Sequence, residues 1–276
     1  MWLCHRAGLC EDLTAAQIGF ERKQVGFVYA SDCVASHIRQ YSRRTFLSRL
    51  NMLTALRNNF AFFRQFRQQF ETTGSITPSS RFLAKSMTRF LAKRADDPVR
   101  VLEIGPGTGP VTHRIVSHLR DGDKFDLVEL NDEFVDILNG QFQNNAKWKL
   151  VSKYSEVHKL PVQEFNPPEK YDFVISGLPL NNFPAELVEQ ITDKYFELLK
   201  PDGILSYFEY MYVRPIRKIV TRGQEKTRIT RIDDIMAGHC EQRRVAQDNV
   251  LLNVPPAWVQ HLSGHRDSSV SDSVGA

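Results

Sequence analysis

The stretch that decides the fold is Val101-Leu102-Glu103-Ile104-Gly105-Pro106-Gly107-Thr108-Gly109. Its apolar start has strand character, and a helical pattern follows the three glycines. Glycine has no Cβ, so this turn lets a ligand approach the backbone closely. A dinucleotide-binding turn would need its third small residue at position 110, which is a proline. No Gly-Lys-Ser/Thr follows, so the turn also differs from a phosphate-binding P-loop.

The order Glu-x-Gly-x-Gly-x-Gly resembles motif I of class I S-adenosylmethionine-dependent methyltransferases. The resemblance implies that S-adenosylmethionine is the cofactor and that Gly105, Gly107 and Gly109 lie against it. It also implies that Glu103 orients the turn and binds the methionyl amine, directly or through water.

Outward from this turn, short apolar runs alternate with helical patterns, which predicts a parallel sheet with helices on both faces. The predicted strands are Val99–Ile104, Phe125–Leu130, Trp148–Ser152, Tyr171–Ser176 and Gly203–Glu209, and the predicted helices are Pro110–Leu119, Asp132–Gln143 and Pro184–Leu199. Near the end, Arg244–Ala246 and Val250–Val254 flank Gln247-Asp248-Asn249 and predict a hairpin. The expected fold is α/β and doubly wound: a mostly parallel, seven-stranded, Rossmann-like sheet with an N-terminal helical extension.

Two strand ends supply further candidates for cofactor binding. Glu129 lies roughly twenty residues beyond the glycines, a distance that suits a carboxylate accepting both ribose hydroxyls, with Asn131 beside it. At the next strand end, Glu156 stands where this fold usually places a contact to the adenine.

The loop after Tyr171–Ser176 is the third candidate element. In this fold it borders the methyl group, so Ser176, Gly177 and Leu178 are predicted to line the cofactor site. Amine and adenine N-methyltransferases typically carry Asn/Asp-Pro-Pro-Tyr/Phe here, and the departure from that pattern counts against a standard adenine methylase. Catalytic candidates are Asn181 in this loop and three residues at the end of Gly203–Glu209: Tyr207, Glu209 and Tyr210. Alternation along a strand means that these three cannot all face one site.

A Phe-rich helical stripe flanked by arginines covers 46–70. Three interpretations remain open: packing on the catalytic domain, insertion into an anionic membrane surface, or binding of nucleic acid. A second basic segment, from Arg214 to Arg231, could hold a substrate phosphate. A solvated basic loop is the other reading of that segment.

The glycine turn, the Ser-Gly-Leu-Pro-Leu-Asn-Asn-Phe-Pro loop (176–184) and Ile76-Thr77-Pro78-Ser79-Ser80 together resemble bacterial phospholipid N-methyltransferases, which are relatives of rRNA adenine dimethylases. That family converts phosphatidylethanolamine to phosphatidylcholine. The resemblance implies that Ser79 and Ser80 help to close the cofactor pocket and that helix 46–70 docks on the bilayer. An anionic membrane surface and a phospholipid substrate are then the expected partners, at the inner face of the membrane in the cytoplasm. RNA is the alternative partner, and a non-catalytic binding domain is the third hypothesis.

Composition fits a globular domain of 276 residues, with 42% hydrophobic and 25% charged residues. The four cysteines form no Cys-x-x-Cys pair and no zinc-ligand spacing with histidine, so no metal is expected. The sequence suggests no obligate protein partner. The predicted domains are an unassigned extension (1–45), basic amphipathic helices (46–95), the methyltransferase domain (96–262) and a disordered tail (263–276).

Overall fold

The computed structural model describes residues 78–211 and 213–265, without the side chains of 78–80, 213, 216 and 218. The predictions for 1–45 and for helix 46–70 lie outside the described residues, as does the tail from 266 onward. Within the described part, no helix combines the length and the apolar character that crossing a bilayer requires.

The described residues form a seven-stranded sheet in the order β3-β2-β1-β4-β5-β7-β6. The strands are β1 (Arg100–Ile104), β2 (Lys124–Glu129), β3 (Ser155–Lys159), β4 (Tyr171–Ser176), β5 (Leu199–Tyr210), β6 (Arg244–Val250) and β7 (Ala257–Ser263). The pairs among β1 to β5 are parallel, whereas β7 is antiparallel to both β5 and β6. This topology confirms the predicted doubly wound, mostly parallel sheet.

Helices connect the strands on both faces. They are α1 (Pro78–Met87), α2 (Arg89–Ala92), α3 (Thr112–Val116), α4 (Asp132–Asn144), α5 (Ala146–Val151), α6 (Ala185–Leu198), α7 (Val213–Val220) and α8 (Gly223–Arg243). Short 3₁₀ turns occupy Ser152–Tyr154, Val162–Glu164 and Leu180–Asn182.

Successive side chains of a strand point to opposite faces of the sheet, so the side chains that contact a helix show which face that helix covers. Helices α1 to α5 contribute to a core that includes Met87, Leu138 and Trp148, packed against strand residues such as Phe125 and Ile175. The opposite face carries α6 and α8, which the buried strand residues Ser176 and Tyr207 contact by hydrogen bonds. Because α1 packs on β5, β6 and β7, the compact domain begins before residue 96.

Two predicted strands were wrong in position. The apolar run at Trp148–Ser152 is helical in α5 and in the 3₁₀ turn after it, because Trp148 fills the core from a helix rather than from a strand. Asp248 was expected in a hairpin turn, yet β6 runs straight through it and pairs with β7. Ser263, placed in the tail by the sequence, is the last residue of β7.

Candidate active site

The glycine turn leaves β1 at the carboxyl edge of the sheet, where parallel α/β folds bind their ligands. Gly105, Gly107 and Gly109 all have positive φ angles, of 66°, 60° and 90°. A Cβ on Gly105 would lie 2.5 Å from the Cδ2 atom of Leu178, so this glycine lets the loop after β4 close onto the turn. Gly177 donates a hydrogen bond to the Ile104 carbonyl at 2.8 Å and joins the two loops directly.

Gly109 has a packing role as well as a conformational one. Its Cβ would lie 2.9 Å from the Cη2 atom of Trp148, whose ring fills the core beside α4. The third glycine of the motif is therefore required by the protein itself, independently of any contact to a cofactor.

Glu129 lies directly beside the glycine turn. Its carboxylate is buried and accepts the Gly107 N–H at 3.0 Å, and it also accepts the N–H groups of Leu130 and Asn131 at 2.8 and 3.0 Å. These bonds hold a carboxyl acceptor at the end of β2, next to the backbone that a nucleoside must approach. The residues present thus fit the adenosine part of S-adenosylmethionine, whose ribose offers two hydroxyl donors.

Glu103 is a second buried carboxylate on the same face of the sheet. It accepts a hydrogen bond of 2.6 Å from the Thr112 hydroxyl, which spans the glycine turn from β1 to α3. This contact ties Glu103 to the helix that follows the glycine turn, and its orienting role stays a prediction. Its contact with the methionyl amine stays a prediction.

Asn131 caps a helix. Its Oδ1 accepts the N–H groups of Glu133 and Phe134 at the start of α4, at 2.9 and 3.3 Å. Such a cap stabilises a helix by about 1 kcal/mol. The side chain has this structural function whether or not it also contacts the ribose.

Glu156 is not at the carboxyl edge. The prediction relied on a strand at 148–152, but β3 begins only at Ser155, and Glu156 is level with Asp126 near the start of β2. Glu129 is instead level with Lys159, so Glu156 lies about 10 Å away along the strand direction. The structure therefore gives no support to an adenine contact by Glu156.

Glu156, Asp126 and His158 do bring potential metal-ligand atoms to within 4.8 Å of one another. However, the Asp126 carboxylate pairs with His158 Nε2 and accepts the Tyr171 hydroxyl, both at 2.8 Å. Arg100 lies 3.7 Å from the same carboxylate. These partners use the ligand atoms, and a guanidinium beside them opposes a second cation, so the cluster is an internal polar network.

The loop after β4 is held in place by two sets of hydrogen bonds. Ser176 is buried, and its hydroxyl lies 2.6 Å from the Tyr195 hydroxyl and accepts the Leu178 N–H at 3.3 Å. Further along the loop, Arg217 and Arg228 each donate a hydrogen bond to the Asn181 carbonyl at 3.2 Å. The sequence did not reveal this clamp, because both arginines come from helices at least 36 residues away along the chain.

Side-chain direction separates the catalytic candidates on β5. Tyr207 faces α8, where its buried hydroxyl lies 3.3 Å from Cys240 Sγ, and burial raises its pKa well above the ordinary value. Glu209 points to the same side and forms an ion pair with Arg214. The structure therefore does not support Tyr207 or Glu209 as a base at the substrate.

Tyr210 faces the other way. It packs beside Phe208, at 5.3 Å between ring centroids, on the face that also carries Glu103 and Glu129. As the last residue of β5 it reaches the carboxyl edge of the sheet. Tyr210 and the loop residue Asn181 thus remain catalytic candidates. Ser79 begins α1, and its side chain lies outside the described residues.

Residues 101–203 match the profile of the family described as a methyltransferase domain. The chain is 27% identical over 157 residues to the ornithine lipid N-methyltransferase of Singulisphaera acidiphila, covering 56% of this chain and 80% of that protein. It is 28% identical over 157 residues to ribosomal RNA small subunit methyltransferase A of Pseudomonas fluorescens, covering 57% of this chain but 51% of that enzyme. An O-methyltransferase from Bacillus cereus, solved with SAH, shares the fold at 13% identity and a TM-score of 0.51, covering 77% of this chain and 90% of that one.

Fold, glycine turn and domain match together define the class: this is a class I methyltransferase. The chain is an enzyme that uses S-adenosylmethionine as its cofactor.

Proposed function

We propose that this enzyme transfers a methyl group to the amine of a lipid headgroup at a membrane surface, taking phosphatidylethanolamine towards phosphatidylcholine. The main support is the similarity to an ornithine lipid N-methyltransferase, which extends over 80% of that protein. The match to the ribosomal RNA enzyme covers only 51% of its length, so half of that protein has no aligned counterpart here. Ornithine lipid and phosphatidylethanolamine both present an amine to the enzyme, which makes the headgroup amine the shared chemistry.

The loop after β4 counts against a standard adenine methylase. An adenine methylase typically presents Asn/Asp-Pro-Pro-Tyr/Phe at this position, whereas this loop begins with Ser176. The Ser176 hydroxyl is engaged by Tyr195 and by the loop's own backbone. It therefore anchors the loop instead of offering a polar group to a planar base.

Three of the arginines of α7 and α8 are paired with acids of the protein. Arg214 lies between Glu209 and Asp233, Arg228 pairs with Glu225, and Arg231 bridges Glu186 and Glu189. Counted from the sequence, these arginines suggest a surface for phosphates. Paired in this way, they contribute little positive potential to hold an RNA backbone.

Methyl transfer depends more on the alignment of the methyl group with the acceptor nitrogen than on the strength of an acid catalyst. The cofactor supplies a methyl group on a sulfonium, and the acceptor nitrogen must approach it in line at roughly 3–3.5 Å as a neutral amine. Glu129 and Glu103 hold the cofactor in this proposal, and the clamped loop with Asn181 positions the amine. Tyr210, at the end of β5, is the candidate on that strand for contact with the headgroup.

Methyl-labelled S-adenosylmethionine tests the proposal directly. The purified chain is incubated with vesicles containing phosphatidylethanolamine, vesicles containing ornithine lipid, or unmodified small-subunit ribosomal RNA. Label in either lipid, absent in Gly107→Arg and retained in the exposed Asp136→Asn control, supports the proposal, and the two lipid arms identify the headgroup. Label in RNA alone would overturn it in favour of the RNA-methylating alternative, and label in none would exclude all three acceptors.

The proposal also sets the enzyme's place in the cell. A headgroup amine is reached from the plane of the membrane, so we propose a peripheral position at the cytoplasmic face. Anionic lipids there attract basic segments such as the one predicted over 46–70.

A further inference from the structure

Exposed apolar side chains gather at the turn between β6 and β7. Leu251, Leu252 and Val254 are 68%, 65% and 66% exposed. Burial of large aliphatic side chains is the main favourable contribution to folding, so three exposed within four residues are unusual for a soluble surface.

This turn lies on the catalytic side of the sheet. β7 begins at Ala257, which pairs with Tyr210, the last residue of β5. The Met211 N–H donates to the Pro256 carbonyl at 2.8 Å and fixes the turn beside the end of β5. Because β5 is parallel to β4, the turn projects from the same edge as the clamped loop after Ser176.

A second apolar pair lies on α7, the helix that follows the end of β5. Ile219 and Val220 end α7 and are 82% and 68% exposed. Arg217 in the same helix donates to the Asn181 carbonyl and thereby holds the end of α7 next to the clamped loop. Helix α8 then carries the chain down to the start of β6 at the opposite edge.

Phe82 of α1 completes the set. It is 44% exposed and, together with Leu251 and Leu252, lines a groove of about 440 Å³. We name these six side chains the apolar rim: Phe82, Ile219, Val220, Leu251, Leu252 and Val254.

Exposed cations lie close in the sequence to two parts of the apolar rim. Arg81 and Lys85 lie on α1 next to Phe82, and Arg222 and Lys226 follow Val220. Asp248, the acid that lines the groove, accepts a hydrogen bond of 2.7 Å from the Ser86 hydroxyl and forms an ion pair with Arg89. Apolar side chains bordered by cations are complementary to the acyl chains and anionic headgroups of a bilayer.

We propose that the apolar rim is the surface by which the folded domain docks on an anionic phospholipid bilayer, with Leu251, Leu252 and Val254 entering the acyl region. The inference rests on the proposed lipid substrate and adds the surface that delivers it. Docking through the rim turns the clamped loop and Tyr210 towards the headgroups. It also makes the folded domain itself a membrane-binding element, in addition to any contribution from 46–70.

The test compares the full chain with Leu251→Glu/Leu252→Glu in sedimentation with vesicles of phosphatidylglycerol and phosphatidylethanolamine. The partition coefficient of the double variant is expected to fall at least about tenfold, equivalent to about 1.4 kcal/mol. The matched control is Leu150→Glu, because Leu150 is 74% exposed on α5 and precedes β3 at the opposite edge of the sheet. Control binding within about twofold of the parent is expected on the same basis; an equal loss in both variants, or no loss in the double variant, overturns the proposal.

A second measurement reports insertion without depending on affinity. A polarity-sensitive dye on Leu251→Cys should shift to the blue and be quenched by nitroxide-labelled lipids when vesicles are added. The same dye on Leu150→Cys carries the same background from the native cysteines and should not respond. Equal responses at the two positions would overturn the docking surface.

Methylation assays separate the two proposals. Double-variant protein that binds vesicles poorly but methylates detergent-dispersed phosphatidylethanolamine at the parent rate supports both proposals. If the parent protein docks through the rim but methylates no lipid, the proposed docking surface is supported and the proposed lipid substrate is refuted. If the double variant methylates lipid in vesicles as fast as the parent, the proposed docking surface is refuted and the proposed lipid substrate is supported.

Discussion

At the scale of single residues, motif I combines ligand binding and packing within five positions. Gly105 gives room to Leu178 and Gly109 gives room to Trp148, while Gly107 donates its N–H to Glu129. Spacing alone identified the glycines, but it could not assign these partners. Leu178 and Trp148 reach the turn from distant parts of the chain.

Replacement of Gly109 by alanine tests the packing role. With φ at 90° and a Cβ only 2.9 Å from Trp148, the variant should unfold more easily by about 1–3 kcal/mol. Gly140→Ala is the matched control, because a Cβ at this position of helix α4 would meet nothing within 4 Å beyond its chain neighbours and the helix's own backbone. That control should gain about 0.5–1 kcal/mol. Urea unfolding measures both, and similar values for the two variants would contradict the assigned role.

At the scale of elements, the antiparallel end of the sheet is joined to α1 and α2 by a chain of polar contacts. His261 on β7 is fully buried, with Nδ1 2.8 Å from the Ser206 hydroxyl and Nε2 3.4 Å from Asp248. Asp248 on β6 in turn binds Ser86 and Arg89 of α1 and α2. These contacts link three strands and two helices, and His261 connects Ser206 to Asp248 within them.

Burial lowers the pKa of His261 from 6.5 to about 4, with Arg89 opposing its protonation and Asp248 favouring it. Between these two values the unfolded chain binds the proton and the folded one does not. Unfolding free energy should therefore fall as the pH drops from 6.5 towards 4, by up to about 3 kcal/mol from this residue. Urea titrations across this range should show a flatter dependence for His261→Gln, and parallel curves would contradict the assignment.

At the scale of the whole molecule, cofactor binding and folding are linked, because the site is built from the ends of β1, β2 and β4 and exists only in the folded state. Ligand at a hundred times its Kd adds about 2.7 kcal/mol to the stability of the fold. S-adenosylmethionine should therefore raise the Tm of the parent enzyme.

Glu129→Ala should abolish most of that rise, because the variant lacks the proposed ribose acceptor and leaves the Gly107 N–H without its carboxylate. Asp136→Asn, an exposed change on α4, should keep the full shift. A calorimetric scan with and without cofactor measures both. An unchanged Tm rise in the Glu129 variant would show that the carboxylate does not hold the cofactor.

Local sequence patterns determined the class of this protein. The glycine spacing, the acid at the end of β2 and the alternation of strands and helices are short-range features, and each keeps its meaning in the folded chain. The failures occurred where a short apolar run permits either helix or strand, as at Trp148, and where antiparallel partners lie far apart, as at Asp248. Glu156 was misplaced because its strand was misplaced.

Tertiary structure alone decided the direction and the partners of the side chains. Four catalytic candidates were equivalent in the sequence, and only packing turned Tyr207 and Glu209 towards α8 and Tyr210 towards the face of Glu129. In the folded chain, Arg214 of the basic segment forms an ion pair, and Arg217 and Arg228 clamp the loop after β4. The apolar rim likewise cannot be identified from the sequence alone, because its side chains come from three segments that are far apart along the chain.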